Sequence, residues 1–215
     1  MIAIILMTAD EKAGSLFDNV VKQKDELQKA LKESGRLLYI TKRKEANGAS
    51  IILHLKDQQI ITDLISGYLG QIKGVLRIWV VPLFRPRFFP LPKDTKGMKR
   101  FVITLKVASD SFTSVYKHLL NPNMPDGLKK VYYAYTFQLY DNAMQLSLLA
   151  DNDAILRKYI AEEINAIPGV LKSSIYEMEQ TKPFITYDEW QAYAGEKVPH
   201  SKWENMLTHI EGWDI

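Results

Sequence analysis

The sequence predicts an α+β chain in which one order of elements, strand–helix–strand–strand–helix–strand, occurs twice. Three observations predict it. Apolar residues switch between period two and period 3.6; an ungapped shift of 95 residues superposes the halves; a Pro-rich basic joint lies between them. The composition, 47% hydrophobic and 25% charged over 215 residues, is that of an ordinary folded chain.

The elements follow in order. Met1 to Met7 is apolar but too short to span a membrane, has no basic lead, and runs straight into Thr8-Ala9-Asp10-Glu11. It is expected to be the first strand, with neither leader nor membrane segment. A long amphipathic helix follows, with Ser15 as candidate cap and Leu16, Phe17, Val20, Val21, Leu27 and Leu31 on one side. Arg36 to Lys42 reads as a strand, Glu45-Ala46-Asn47-Gly48 as a turn, and Ile51, Leu53 and Leu55 alternate as in a half-buried strand. Asp57 can cap a helix whose face carries Ile60, Ile61, Leu64, Ile65, Leu69 and Ile72; Gly74 ends it, and Val75 to Val81 is rich in β-branched residues.

The second half repeats the order. Phe101 to Val107 is expected as a strand, Ser111 to Leu120 as a helix, and Val131 to Gln138 and Met144 to Leu149 as strands. Asp151-Asn152-Asp153 opens a helix carrying Ile155, Leu156, Tyr159, Ile160, Ile164 and Ile167, which stops at Pro168-Gly169 before a last strand from Val170. The 95-residue shift carries Ile60 onto Ile155, Leu64 onto Tyr159, Leu69 onto Ile164, Gly74 onto Gly169 and Ile51 onto Leu146. This is the split βαβ order of a ferredoxin-like unit, duplicated. The division is 1–83 for the first unit, 84–99 for the joint, 100–183 for the second unit, and 184–215 for an extension. The joint holds Pro86, Pro90 and Pro92 with Arg85, Arg87, Lys93, Lys96 and Lys99, which gives a stiff, solvated connection with Phe88 and Phe89 as an anchor. The extension carries Trp190, Trp203 and Trp213, with Ser201-x-x-Glu204 as a capping box for a short helix.

Charge and chemistry exclude several classes. A net charge of +3 is too small to argue for nucleic acid, and direct DNA binding is not expected. No Cys is present, which removes disulfides and thiol catalysis and agrees with a cytoplasmic setting. No Ser-His-Asp order, phosphate-binding Gly loop or paired-His metal motif stands out.

The helix endings Ile72-Lys73-Gly74-Val75 and Ile167-Pro168-Gly169-Val170 resemble the C-terminal effector-binding (RAM-like) domain of Lrp/AsnC regulators. The resemblance covers most of residues 1–183, once per unit. It implies two domains paired sheet to sheet into a pseudo-dimeric α+β barrel, here from one chain, and a small-molecule effector at the turn between the second and third strands. That turn departs from the family pattern: Asn47-Gly48 lacks the Asp in the first unit, and Asp141-Asn142 lacks the Gly in the second. The chain also opens on a strand instead of a helix-turn-helix.

Tyr133, Tyr135 and Phe137 lie in the most aromatic stretch, where Tyr couples an apolar body to a hydroxyl. They suit a ligand cavity or a sheet–sheet interface, so the candidate ligand residues are Tyr133, Tyr135, Phe137, Asp141, Asn47 and Gly48. His118 is the candidate for a cofactor. Chlorite dismutase-like haem proteins are similar in being built from paired ferredoxin-like domains, with an axial His in a comparable helix of the second. His54 is expected to face away from Ile51, Leu53 and Leu55, without metal-ligand spacing.

The function expected is small-molecule sensing or regulation without catalysis and without a cofactor. The alternative is a haem-binding protein or small enzyme of the dimeric α+β barrel class. Expected partners are a small-molecule effector, further copies of the chain, and a protein docking on the C-terminal extension.

Overall fold

The computed structural model describes residues 2–9, 13–31, 35–42, 44, 48–56, 64, 67, 69–73, 75–91, 95–120, 124–137, 142–179 and 185–195. The first half contains β1 (Ile2–Ala9), α1 (Ala13–Lys22), α2 (Lys24–Leu31), β2 (Gly35–Lys42), β3 (Gly48–Leu55) and β4 (Val75–Pro82). β5 (Phe84–Phe88) follows, then β6 (Lys99–Val107), α3 (Phe112–Leu119), β7 (Leu128–Phe137) and β8 (Ala143–Ala150). The described chain ends with α4 (Asp153–Tyr159), β9 (Val170–Met178) and α5 (Tyr187–Gly195).

The first sheet has the antiparallel order β2-β3-β1-β4 and the second β5-β7-β8-β6-β9. One face of each sheet packs on helices. In the first, Ile5, Met7, Ile51 and Leu53 meet Leu16, Val20, Leu27 and Leu31 from α1 and α2. In the second, Ile103, Leu105, Leu146 and Leu148 meet Val115, Leu119, Leu156 and Ile164. The alternation read at Ile51, Leu53 and Leu55 therefore holds, and His54 stands on the opposite face. The first helix is divided at Gln23, although Gln23 N–H still donates to the Asn19 carbonyl at 3.1 Å. Of the helix expected at 57–73, Leu64, Leu69 and Ile72 are buried in the first core; Ile60, Ile61 and Ile65 lie outside the described residues.

The remaining faces turn toward each other, and both edges between the sheets are joined. At one edge, Lys44 N–H donates to the Glu177 carbonyl and Glu179 N–H to the Lys42 carbonyl, each at 3.1 Å. Lys44 also pairs with the Glu177 carboxylate and Lys42 with that of Glu179 at 3.6 Å. At the other edge the chain itself crosses. β4 ends at Pro82, buried Leu83 follows, and β5 joins the second sheet beside β7, with Phe88 opposite Tyr133.

Within the stretch 84–99, read as a joint, the first five residues form an edge strand. Pro86 is tolerated because it falls where the ladder shifts register between Phe84 and Arg87, so no donor is missed there. The basic side chain described nearby, Arg87, is exposed, while Phe88 is buried and anchors the strand as expected.

The helix-to-strand corner reads as anticipated. Asn152 caps α4, accepting from Ile155 N–H at 3.0 Å, and Gly169 has φ +92°. A Cβ at Gly169 would lie 2.1 Å from the Ser111 Cβ, so both backbone angle and space demand glycine. Gly74, its counterpart, lies outside the described residues.

Of the C-terminal extension, residues 185–195 are described, and Ile185 and Trp190 among them enter the space between the sheets. Trp190 is fully buried beside Tyr39 and edge-on to Phe88 at 5.2 Å, and its indole N–H donates to the Phe89 carbonyl at 2.8 Å. A capping box starts α5: Thr186 N–H donates to Glu189 at 2.8 Å, and Glu189 N–H to Thr186 Oγ1 at 3.3 Å. The box expected at Ser201 and Glu204, and both later tryptophans, lie outside the described residues. Trp190 is thus a core residue of the inter-sheet space.

Trp190→Ala removes the largest fully buried side chain and should cost about 3–5 kcal/mol. Urea unfolding monitored by far-UV circular dichroism measures it. A loss below about 1 kcal/mol would mean that the extension is not part of the core.

Candidate functional site

Two places hold polar chemistry in otherwise apolar surroundings. The first lies between the sheets. Arg100 on β6 is 1% exposed, and its guanidinium spans the gap. Nε donates to Ser147 Oγ on β8 at 3.3 Å; Nη1 donates to Thr41 Oγ1 at 2.9 Å and to the Tyr39 hydroxyl, both on β2. The guanidinium also lies 4.7 Å from the Tyr39 ring centre, a cation–π distance. Alternation puts Arg100 there, since Phe101 and Ile103 face the helices. Tyr39 and Thr41 share the same space because Leu38 forms a bulge, where the β2–β3 register shifts between Leu37 and Tyr39. Next along the same face, Gln145 Nε2 donates to Thr104 Oγ1 at 3.1 Å. A guanidinium so surrounded locks two sheets in register.

The second place is the helix-facing side of the second sheet. Lys130 on β7 stands opposite Leu148, and Leu128 stands opposite Ala150; Leu128, Leu148 and Ala150 all belong to the helix-facing core. Cross-strand partners share a face, so Lys130 rises on that side, half-buried, while Lys129 is exposed. Burial pushes the Lys130 ammonium down to about 8. The β7–β8 ladder shifts register between Lys130 and Ala134, so Lys130 sits at the edge of an irregularity. The same core contains two buried phenols, Tyr116 and Tyr159, and burial, then the neighbouring Glu163, raises Tyr159.

The residues anticipated as ligands are only partly placed. Tyr133, Tyr135 and Phe137 are on β7, with Tyr135 opposite Gln145 and Phe137 opposite Ala143. Gly48 opens β3, opposite Thr8. Asn47 and Asp141 lie outside the described residues. His118 is exposed in the last turn of α3, whose buried residues are Phe112, Val115, Tyr116 and Leu119. Among the described residues no cluster of three His, Asp or Glu could hold a metal, and no helix is long and apolar enough to cross a membrane.

Sequence reasoning missed both Arg100 and Lys130. Arg100 had a faint signal, a cation at an alternating position of an otherwise apolar strand. Lys130 had none, because Lys129-Lys130 reads as a solvated strand start.

No family model matches the chain, and no curated protein matches it in sequence. Solved structures do match. An anthrone oxidase-like protein superposes with TM-score 0.53 at 10% identity, over 92% of this chain and 94% of that one. A putative monooxygenase from Lactobacillus acidophilus NCFM gives 0.51 at 10% identity, over 86% and 98%. A mutant chlorite dismutase from Candidatus Nitrospira defluvii gives 0.50 at 11% identity, over 90% and 95%. The chain has the α+β barrel fold. The match extends over nearly the whole of each relative, so the two joined sheets correspond to the complete architecture of those proteins. The barrel anticipated from the sequence is supported; the narrower likeness to Lrp/AsnC regulators rests on the helix endings alone.

Arg100→Ala should destabilise by about 3 kcal/mol, because Tyr39, Thr41 and Ser147 lose a shared buried donor. Tyr39→Phe should cost only about 1 kcal/mol. Urea midpoints compare the two, and equal losses would contradict a guanidinium-centred lock.

Proposed function

We propose that this chain is a small-molecule enzyme of the dimeric α+β barrel class, acting on an apolar aromatic compound in an oxygen-dependent reaction. The observation that carries the reading is the near-complete superposition on a putative monooxygenase and an anthrone oxidase-like protein. The helix-facing layer of the second half supports it, since an ionisable amine and two phenols there border an apolar core. Fold alone does not dictate chemistry, so the reading rests on the likeness and the groups together. The duplication belongs to the same proposal: β2-β3-β1-β4 and β7-β8-β6-β9 succeed one another in the same relative order, and the 95-residue shift relates them. In this view residues 1–83 and 100–183 are two ferredoxin-like units.

The regulator reading keeps its motif at Gly169, which the corner geometry explains on structural grounds alone. The haem reading keeps the likeness to chlorite dismutase, and its candidate ligand His118 is exposed on α3.

Oxygen uptake with anthrone as substrate, and no added cofactor, is the test. Turnover above the spontaneous rate is expected; none over a panel of anthrones and related phenols would overturn the reading. In a parallel haemin titration, His118→Ala should leave the Soret absorption unchanged from wild type. Loss of a saturable band in that variant would restore the haem reading.

A further inference from the structure

Two edge strands carry the same irregularity. β4 ends the first sheet and β9 the second. On β4, Arg77 faces Thr8 of β1 and Val75 faces Ala9, which leaves Leu76 as the extra residue of a bulge. On β9, Lys172 faces Lys106 of β6 and Val170 faces Val107, which leaves Leu171 in the same position. The 95-residue shift carries one leucine onto the other. They are 62% and 63% exposed, and with Tyr187 they are the large hydrophobic residues left in solvent among the described residues. A bulge that only blunts an edge is better served by a lysine than by a leucine. The two knobs differ in charge. Exposed Lys73 and Arg77 flank Leu76, whereas the shift carries Lys73 onto Pro168. The helix α1 meets this corner where Asn19 Nδ2 donates to the Lys73 carbonyl at 3.1 Å, and there exposed Asp18 and Lys22 offset each other.

We propose that Leu76 is the docking point for residues 203–215 of the same chain. Trp190 anchors α5, so the sequence beyond Gly195 starts from a fixed place and runs on to Ile215. In it Trp203, Met206, Leu207, Ile210 and Trp213 fall at helical spacing on one side. The same stretch carries Glu204, Glu211 and Asp214 and no Lys or Arg. An apolar face with acids beside it complements a leucine set between two cations. A segment of the same chain also meets that leucine at a high effective concentration. A second copy is the poorer occupant, because joining two such knobs sets cations against cations.

The sequence has no Cys, so Met206→Cys in the full-length chain supplies a single thiol. Its rate of alkylation by iodoacetamide measures how far the segment is covered. The thiol should react about tenfold slower in the folded protein than in urea. Adding Leu76→Ser should restore most of the lost rate, and Lys73→Glu, which reverses one flanking charge, should raise it as well. Adding Leu171→Ser instead should change it by less than about twofold, and both leucines are exposed, so either variant keeps the fold. No protection, protection that neither Leu76→Ser nor Lys73→Glu relieves, or equal relief by Leu76→Ser and Leu171→Ser would overturn the proposal. So would protection that falls on dilution, since a second copy would then supply the segment. Oxygen uptake with anthrones does not enter this measurement, so the inference and the oxygenase reading fail separately.

Discussion

A sheet that carries helices on one face only must find cover for the other. Here the two sheets cover each other, and most features outside the helix-facing cores follow from that constraint. It explains the paired edges at Lys42–Lys44 and Glu177–Glu179, and the crossing of the chain from β4 to β5. It also explains why a bulge at Leu38 is worth its cost, since the bulge aims Tyr39 and Thr41 at Arg100. The apolar part of the inter-sheet space is filled by Ile4, Ile52 and Phe88 and closed by Trp190.

Much of this was legible in the sequence because it is periodic. Ile51, Leu53 and Leu55 alternate, Leu156, Ile160 and Ile164 recur at helical spacing, and both patterns report local geometry. Gly169 was legible for another reason: a left-handed corner packed against Ser111 leaves no room for a Cβ. What was not legible depends on contacts between the halves. β5 lies in a stretch whose prolines argue for a linker, and only its pairing with β7 makes it a strand. Trp190 reads as a tail residue until Tyr39 and Phe88 surround it, and the box at Thr186 and Glu189 carries the same signature as the one read further along.

The candidate site was less legible than the fold. Aromatic richness drew attention to Tyr133, Tyr135 and Phe137, and the register shift beginning at Lys130 adjoins that stretch. A half-buried lysine has no sequence signature of its own, because burial, not identity, separates Lys130 from Lys129. His118 shows the converse. Its residue type suggested a ligand, and one turn of helix put it on the solvent side.

The crossing at Leu83 has a further consequence. In a barrel built from two separate chains, each seam is an intermolecular contact whose occupancy depends on concentration. With the crossing in one chain, closure becomes intramolecular, and its effective concentration is set by the short connection instead. During refolding, the second half of one molecule competes with that of its neighbour for the same two edges, and a crossing that straightens at Leu83 would deliver β5 to another chain. The ion pairs and backbone bonds at the opposite edge would then form equally well between molecules. An exchanged dimer would keep the same contacts as the monomer, and the conformation of the chain around Leu83 would separate the two.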